Sequence, residues 1–507
     1  MLACMKSRRE FIQVGAAFLM APQAPAQENL EEASIAQLQE ALNSSRFSSV
    51  QLVEKYSERI SQIDKAGPRI NSVLELNPDA LSIAAELDRE RKEKGPRGPL
   101  HGIPILIKDN IDTGDKMFTS AGSLALASPA PKDAELVRRL RAAGAIVLGK
   151  TNLSEWANFR STHSTSGWSG RGGQTHNPYA LDRNPSGSSS GTGAAVSANL
   201  CAAGIGTETD GSVVSPSSIN GLVGIKPTVG LVPGAGIVPI SHRQDTAGPM
   251  ARTVADAAIL LGALVGASYG QALDPNGLKG ARIGVARQIF GFNDRVDAMM
   301  DSAIGMLRTL GAEIVDPAMI PTYAHLSEPE TEALLYEFKA DLNAYLEARG
   351  AAVKSLREVI RFNEAGRDRE MPWFGQDQMI RAEAKGPLGS RQYRDLVTRL
   401  NRLAKQDGID AVMTKLSLDA LVAPTDGPAW PTDYLNGDHF TGGSSTPAAV
   451  AGYPHVTVPN GFIFGLPVGI SFFGSPRTEV KLIKYAYAFE QATKARRPPE
   501  FLPSVKL

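Results

Sequence analysis

Residues 185–212 read PSGSSSGTGAAVSANLCAAGIGTETDGS. A Ser- and Gly-rich loop opens this stretch, a run of small residues predicts a helix, and a polar turn that ends at Ser212 closes it. Upstream, residues 102–110 read GIPILIKDN, in which an apolar run predicts a buried strand ending at Lys108. Together these segments supply an amine and several hydroxyl groups, the parts of a serine-based acyl transfer that needs no histidine.

The rest of the chain alternates between apolar runs of strand length and amphipathic runs of helix length. The amphipathic runs predict helices near residues 31–43, 48–64, 78–94, 132–143, 190–200, 253–266, 295–311, 330–348, 388–406 and 478–494. The apolar runs predict strands near residues 103–108, 145–149, 202–206, 281–286, 312–315, 419–423, 455–463 and 467–473. This alternation predicts an α/β fold with a central mixed β-sheet covered by α-helices. Length alone allows two or three domains, although no low-complexity linker or internal repeat divides the chain.

Lys108 is the candidate base. A serine hydroxyl is a weak nucleophile that needs a base beside it, and a lysine can serve only when it is neutral. Burial in an apolar site lowers the pKa of a lysine from its usual value of about 10.4. The apolar run before Lys108 favours such a site. The alternative is a surface lysine beyond the strand end, with Asp109 as its neighbour.

The turn Thr209-Asp210-Gly211-Ser212 is the candidate anion site. Successive backbone N–H groups in such a turn can bind an anion, as an acyl-transfer enzyme must do with its oxyanion. Polar turns with Asp-Gly are common, so the turn alone is a weak signal. The Ser-rich loop before it is compatible with a phosphate cradle or a plain turn, but it lacks the Gly-Lys-Ser/Thr of phosphate-binding loops.

Taken in this order, the three segments resemble the amidase signature family. That family has a Gly-Gly-Ser-Ser-Gly-Gly loop, then a Gly-Ser turn, then an apolar stretch ending in Gly-Leu-Lys-Pro-Thr; here residues 221–228 read GLVGIKPT. The resemblance is most specific over residues 100–255. It implies that Lys108 is the catalytic lysine, Ser188 the bridging serine and Ser212 the nucleophile. Ser188 and Ser212 lie 24 residues apart, which selects Ser188 among three successive serines.

The resemblance also carries expectations about the fold and the backbone. It implies one large domain, here residues 27–507, with a long twisted sheet covered by helices. It implies a cis peptide bond between Gly187 and Ser188, and an oxyanion hole made by the backbone N–H groups of Thr209–Ser212. We expect substrate specificity to be built in residues 287–440, where the alternation of helices and strands is weakest.

The Thr-Glu-Thr-Asp-Gly-Ser form of the turn is most similar to the bacterial peptide amidases of this family. Those enzymes hydrolyse the C-terminal amide of peptides, so the expected substrate is a peptide C-terminal amide or a small aryl or alkyl amide. Ser186, Ser190 and Asp210 stand where glycine is usual. In the family, the loop after the Lys150 strand borders the acyl site, so Trp156 and Phe159 are the expected substrate-binding residues.

Two other classes of function remain open. Within the family, the alternatives are a promiscuous esterase or carbamate hydrolase and a non-catalytic subunit similar to those of amidotransferases. A Ser-His-Asp hydrolase would use His101, His163 or His242. No Gly-x-Ser-x-Gly elbow surrounds a plausible pair of a serine and a histidine, which disfavours that class.

Composition excludes several kinds of partner. The chain has 53 Lys and Arg against 53 Asp and Glu, so its charge does not indicate binding to nucleic acid. The seven histidines show no metal-ligand spacing, and no cysteine pair is available for zinc. We therefore expect no metal and no cofactor, and the oligomeric state stays open.

The first 26 residues are typical of an export signal. Arg8 and Arg9 form a twin-arginine motif, an apolar stretch runs to Met20, and residues 24–26 read APA, a small-residue cleavage site. The expectation is a mature chain that begins at Gln27, is periplasmic or secreted, and has no stable membrane association after cleavage. The alternative is an uncleaved anchor, although the apolar stretch is too short to span a bilayer.

Overall fold

A computed structural model describes residues 30–506, so the predicted export signal lies outside the described residues. The strands are β1 (Val73–Leu76), β2 (Pro104–Lys108), β3 (Phe118–Thr119), β4 (Ser128–Pro129), β5 (Ile146–Thr151), β6 (Trp168–Ser169), β7 (Gly173–Gln174), β8 (Ala203–Glu208), β9 (Val223–Lys226), β10 (Thr246–Ala251), β11 (Arg282–Val285), β12 (Glu313–Val315), β13 (Ala420–Pro424), β14 (His455–Ile463) and β15 (Leu466–Phe473). The α-helices are α1 (Ile35–Asn43), α2 (Ser49–Arg59), α3 (Ala80–Lys94), α4 (Glu135–Ala142), α5 (Ser190–Ser197), α6 (Val214–Ile219), α7 (Val254–Val265), α8 (Asp294–Thr309), α9 (Ser327–Arg349), α10 (Leu356–Ala365), α11 (Arg367–Glu370), α12 (Asp377–Glu383), α13 (Arg391–Ala404), α14 (Asp410–Lys415), α15 (Ser445–Ala451) and α16 (Glu479–Thr493).

Within residues 30–506, eleven strands join in one mixed sheet, which confirms the predicted fold class. Their order is β1-β5-β2-β8-β10-β9-β14-β15-β13-β11-β12. β2 runs parallel to β5 and β8, and β11 runs parallel to β12 and β13, while the other pairs are antiparallel. Helices pack on the sheet throughout, so the chain forms a single large α/β domain.

The strands that carry the predicted site lie inside the sheet. Every residue of β2, β5 and β8 is buried, as expected for strands whose sequences are nearly continuous apolar or small-residue runs. β2 ends at Lys108 and β8 ends at Glu208, and the two strands are parallel neighbours. Their C-terminal ends therefore lie at one edge of the sheet, where α/β proteins commonly build their sites.

The predicted elements are present, with ends that differ by a few residues. Ser48 caps α2 with a capping box to Gln51, and the predicted helix continues past Arg59 as a π-helical turn. β1, β9 and β10 were not predicted. β10 has the sequence TAGPMA, which has low strand propensity, and it is held between β8 and β9 by backbone pairing and by burial.

Residues 287–440 are mainly helical, in agreement with their predicted loss of alternation. α8 to α14 lie in this segment together with the short strand β12 and the buried strand β13. Among residues 30–506, no helix is long and apolar enough to cross a membrane.

Candidate active site

The Lys108 side chain lies wholly inside the protein, at the end of β2. Its Nζ is 2.7 Å from Ser188 Oγ, 2.9 Å from Thr207 Oγ1 and 3.2 Å from the Thr207 carbonyl oxygen. Asn110 Nδ2 donates to the same Thr207 hydroxyl at 3.0 Å. The structure therefore brings together two of the predicted catalytic residues, Lys108 and Ser188, and excludes the alternative of a surface lysine.

Burial changes the protonation of this amine. Loss of solvation lowers the pKa of Lys108 to about 7, and the Asp245 and Glu208 carboxylates oppose that shift. A lysine with this pKa is largely neutral on the alkaline side of neutrality. A neutral amine at 2.7 Å can accept the hydroxyl proton of Ser188.

The loop that carries Ser188 is held by its neighbours. The peptide bond between Gly187 and Ser188 is cis, as the resemblance implies. A Cβ atom on Gly187 would lie 2.1 Å from Ser154 Oγ, so only glycine fits there. Ser189 Oγ donates to the Thr207 carbonyl oxygen at 3.1 Å, which ties the loop to β8.

The turn after β8 presents free backbone N–H groups. Gly211 has φ of +80°, a left-handed conformation that favours glycine. None of the N–H groups of Thr209–Ser212 donates to an acceptor within residues 30–506, whereas the next two, from Val213 and Val214, both donate to Glu208 Oε2 at 2.8 and 3.0 Å. Four consecutive unpaired N–H groups form a nest that fits an oxyanion.

The Ser212 turn lies directly beside the Ser188 loop. The Ser189 N–H donates to the Ser212 carbonyl oxygen at 3.2 Å. Ser188 is fully buried and Ser212 is 9 % exposed, so the predicted nucleophile is the more accessible of the two serines. The bond that joins the two segments is this backbone one, and within residues 30–506 Ser212 Oγ makes no hydrogen bond to Ser188 Oγ.

Side chains from distant segments hydrogen-bond to the side chains of the turn. Thr209 Oγ1 donates to Asp245 Oδ1 at 2.6 Å, and Thr446 Oγ1 donates to Asp210 Oδ2 at 2.7 Å. Burial and the nearby Asp210 charge hold the pKa of Glu330 well above its usual range. A protonated Glu330 can then share a proton with Asp210 without like-charge repulsion.

A cleft of about 370 Å³ opens beside the two turns. It is lined by hydroxyl and carboxyl groups and two aromatic rings, from Asn158, Ser161, Thr162, Ser164, Ser166, Ser186, Gly187, Asp210, Gly211, Ser215, Trp430, Asp438, Phe440, Ser445 and Thr446. Among these lining residues of the described chain there is no lysine or arginine. Trp430, Asp438 and Phe440 come from the segment that we expected to set specificity.

Neither of the two predicted substrate-binding aromatics is among the residues that line this cleft. Trp156 is 1 % exposed and belongs to an apolar cluster that also contains Phe159. Phe159 packs edge-on against Phe338, with ring centroids 5.1 Å apart. Asn158, between them in sequence, lines the cleft instead. Their contact with substrate stays a prediction.

The histidines of the alternative mechanism are engaged elsewhere. His101 is buried with Nε2 2.9 Å from the Leu87 carbonyl oxygen, and His242 Nδ1 is 2.8 Å from Asp341 Oδ2. His163 Nδ1 contacts Thr162 Oγ1 at 3.0 Å. None of the three hydrogen-bonds to Ser188 or Ser212 in the described chain. No group of three or more His, Cys, Asp or Glu residues in 30–506 is arranged to hold a metal ion.

Sequence reasoning missed the groups that surround the amine. Thr207 and Asn110 lie within the motif segments, and a polar residue in an otherwise buried run was a usable signal for both. Glu208 reads in the sequence only as part of a polar turn. Asp245 begins a further family-like segment that the sequence indicates as structural, and its contact to Thr209 joins segments that are separate in sequence.

Comparison with known proteins identifies the family. The model of the family described as Amidase matches residues 51–483. The chain belongs to the amidase family. It is therefore an amide-hydrolysing enzyme, and the resemblance stated from its motifs is confirmed.

Three relatives of this amidase span nearly its whole length. A probable amidase of Arabidopsis thaliana is 43 % identical over 94 % of this chain and 92 % of its own. The peptide amidase of Stenotrophomonas maltophilia, a solved structure, is 50 % identical with a TM-score of 0.89, covering 93 % of this chain and 99 % of that one. A glutamyl-tRNA(Gln) amidotransferase subunit of Pseudomonas aeruginosa (strain LESB58) is 32 % identical over 92 % of this chain and 98 % of its own.

Proposed function

We propose that this amidase hydrolyses a carboxamide C–N bond through an acyl-enzyme on Ser212, with a Ser-Ser-Lys triad of Ser212, Ser188 and Lys108. The observation that carries the proposal is the 2.7 Å contact between Lys108 Nζ and Ser188 Oγ in a fully buried site. The backbone bond between Ser189 and Ser212 supports it, because it holds the nucleophile's turn against the Ser188 loop.

The proposed steps begin from the contact between Lys108 and Ser188. Neutral Lys108 accepts a proton from Ser188, which accepts one from Ser212 as Ser212 Oγ attacks the amide carbonyl carbon. The developing oxyanion binds the free N–H groups of Thr209–Ser212. The C–N bond breaks as the leaving amine receives a proton from Ser188, which is reprotonated by Lys108. Water, deprotonated by the same relay, then hydrolyses the ester of Ser212.

The proposed substrate is a peptide C-terminal amide. The 50 % identity to a peptide amidase favours it over the amidotransferase subunit, which is 32 % identical. The cleft also favours a neutral carboxamide over a free carboxylate, because Asp210 and Asp438 line it and it has no cationic lining residue in the described chain. Small aryl amides, esters and carbamates are the alternatives within the family.

Covalent labelling tests the nucleophile. A fluorophosphonate should form one adduct on Ser212, located by mass spectrometry, in a protein that releases ammonia from a peptide amide. Ser212→Ala should lose both the label and the release of ammonia. An adduct on Ser189 or Ser190 would contradict the assignment, and a Ser212 adduct without any amide hydrolysis would contradict the substrate class.

We further propose export by the twin-arginine route, from Arg8-Arg9 and the cleavage site at residues 24–26. The mature protein should begin at Gln27 in the periplasmic fraction. Replacing both arginines by lysine should hold the precursor in the cytoplasm, and unchanged periplasmic yield would reject this route.

A further inference from the structure

A chain of hydrogen bonds runs from a buried carboxylate to the cleft. Asp426, just after β13, is fully buried, and its Oδ2 accepts from Ser215 Oγ at 2.5 Å. Ser215 Oγ lies 2.7 Å from Ser186 Oγ. Ser215 is in the first turn of α6, and Ser186 is in the loop that carries Ser188. Both serines line the cleft.

The carboxylate is held by hydroxyl groups and by no cation. Ser218 Oγ donates to the other oxygen of Asp426 at 2.6 Å and accepts from the Gly469 N–H at 3.0 Å. No lysine, arginine or histidine pairs with Asp426 within residues 30–506. Burial raises the pKa of Asp426 to about 7, opposed by the two serine hydroxyls. Above that pH the ionised carboxylate can only accept hydrogen bonds.

The ionised Asp426 carboxylate fixes the donor-to-acceptor direction of each hydrogen bond in this series. Each serine hydroxyl has one proton to donate. Ser215 gives its proton to Asp426, so the contact between the two serines requires Ser186 to donate to Ser215. Ser186 Oγ makes no other hydrogen bond in the described part of the chain. Its proton is therefore committed, and the oxygen offers only lone pairs to a ligand in the cleft.

The geometry points to Ser186 as a specificity-determining residue whose oxygen accepts a hydrogen bond from the N–H of the scissile amide. This inference rests on the proposed function and deepens it, because it names the feature of the substrate that is read. An amide nitrogen supplies the proton that the oxygen lacks. An ester has an oxygen atom at the position of that nitrogen. This oxygen and Ser186 Oγ are then both acceptors, so they form no hydrogen bond and repel each other.

Ser186→Gly is the variant that tests the acceptor. Ser186 has φ of +61°, a conformation that glycine adopts without strain, so the hydroxyl can be removed with the backbone kept. The measurement is kcat/KM for a peptide amide and for the methyl ester of the same peptide, at a pH well above the pKa of Asp426. We expect about a tenfold loss on the amide and an unchanged or higher value on the ester, because the substitution also removes the oxygen that repels the ester oxygen.

Ser218→Ala is the matched control. Ser218 donates to the same carboxylate at nearly the same distance, but its other hydrogen bond is to the Gly469 N–H and not to a residue of the cleft. Its amide-to-ester ratio should equal that of the wild type. Ser215→Ala frees the Ser186 hydroxyl to turn its proton towards the cleft, so its ratio should fall less than that of Ser186→Gly.

The possible results distinguish a failure of the inference about Ser186 from a failure of the proposed function. Equal losses on amide and ester in Ser186→Gly, or the same fall in ratio in Ser218→Ala, would overturn the role of Ser186 and leave the proposed function standing. A wild-type protein that hydrolyses neither substrate would overturn the proposed function and this inference with it. A selective loss on the amide in Ser186→Gly alone is the expected result.

Discussion

Two lysines end neighbouring parallel strands, and only one of them contacts the Ser188 hydroxyl. Lys108 ends β2 and Lys150 lies next to the end of β5, and both are fully buried. The register pairs Lys108 with Thr151 and Ile107 with Lys150, so the two side chains leave opposite faces of the sheet. Lys108 reaches Ser188. Lys150 Nζ donates to the Ile111 carbonyl oxygen at 2.6 Å and to Thr119 Oγ1 at 2.9 Å.

A lowered pKa does not by itself distinguish the two sites. Burial lowers the pKa of Lys108 to about 7 and that of Lys150 to about 8. Lys150 lies 4.0 Å from the Asp109 carboxylate, whereas Lys108 has no carboxylate within ion-pair distance in the described chain. Lys150 is thus paired within the fold. Lys108 is paired with a hydroxyl that borders a cleft, and that partner makes it a candidate base.

The largest expected contrast is in activity. Lys108→Ala should lower kcat/KM on a peptide amide by about 10³–10⁴-fold, because it removes the general base and the proton source for the leaving amine. Lys150→Met should keep kcat/KM within about threefold per folded molecule, since a lysine on the other face takes no part in the relay. Steady-state kinetics with active-site titration would measure both. Near-wild-type turnover in Lys108→Ala would refute the Ser-Ser-Lys assignment.

The second contrast is in stability, because substitution of the two lysines should change the free energy of unfolding in opposite directions. Lys108→Met should raise the free energy of unfolding at neutral pH by about 1–2 kcal/mol, because it removes a buried amine without a charged partner. Lys150→Met should lower it by about 1–3 kcal/mol, because the buried Asp109 then keeps only Arg171 as a countercharge and the Ile111 carbonyl loses its donor. Urea denaturation would measure both. A loss of stability in Lys108→Met would show that the hydrogen bonds of the Lys108 amine stabilise the fold by more than burial of the amine destabilises it.

The pH dependence of the stability follows from the lowered pKa of Lys108. The pKa of Lys108 is lower in the folded state, at about 7, than its unfolded value of 10.5. The folded state therefore binds fewer protons in that window, and the contribution of Lys108 to stability improves as the pH rises through it. Lys108→Met should flatten this part of the stability profile.

A third contrast is in the pH dependence of activity. The acidic limb of kcat/KM should have its midpoint at about pH 7, where Lys108 loses its proton. Asp245→Asn should move that midpoint down by about half a unit, since it removes a carboxylate that favours the charged amine. Asp112→Asn, whose charge acts on Lys150, should leave it in place. Equal shifts in both variants would show that the limb does not belong to Lys108.

The smallest effects should come from histidines outside both lysine sites. His163→Ala and His242→Ala should keep kcat/KM within about twofold, since neither contacts Ser188 or Ser212 in residues 30–506. His101→Ala should keep it as well in the folded protein, with some loss of thermal stability because its ring is buried. Loss of activity in a folded His variant would revive the Ser-His-Asp alternative.

The sequence predicted the elements that are coded locally. The apolar run before Lys108 predicts β2 because strand periodicity and burial leave a local pattern, and the same holds for β5 and β8. β10 was not predicted because its Gly- and Pro-containing sequence has little strand propensity, and β9 because it is only four residues long. They are strands because of the pairing that their neighbours offer.

The amino-acid sequence was enough to propose the reacting groups, since the order and spacing of Lys108, Ser188 and Ser212 follow a family pattern and their chemistry belongs to the side chains themselves. It did not distinguish the environment of Lys108 from that of Lys150, nor assign a role to Asp245 or Asp426. Those contacts join segments far apart in the chain, and their electrostatic effects depend on burial and distance. Folding sets both quantities, so the basicity of the amine and the direction of the Ser186 hydrogen bond are properties of the assembled sheet.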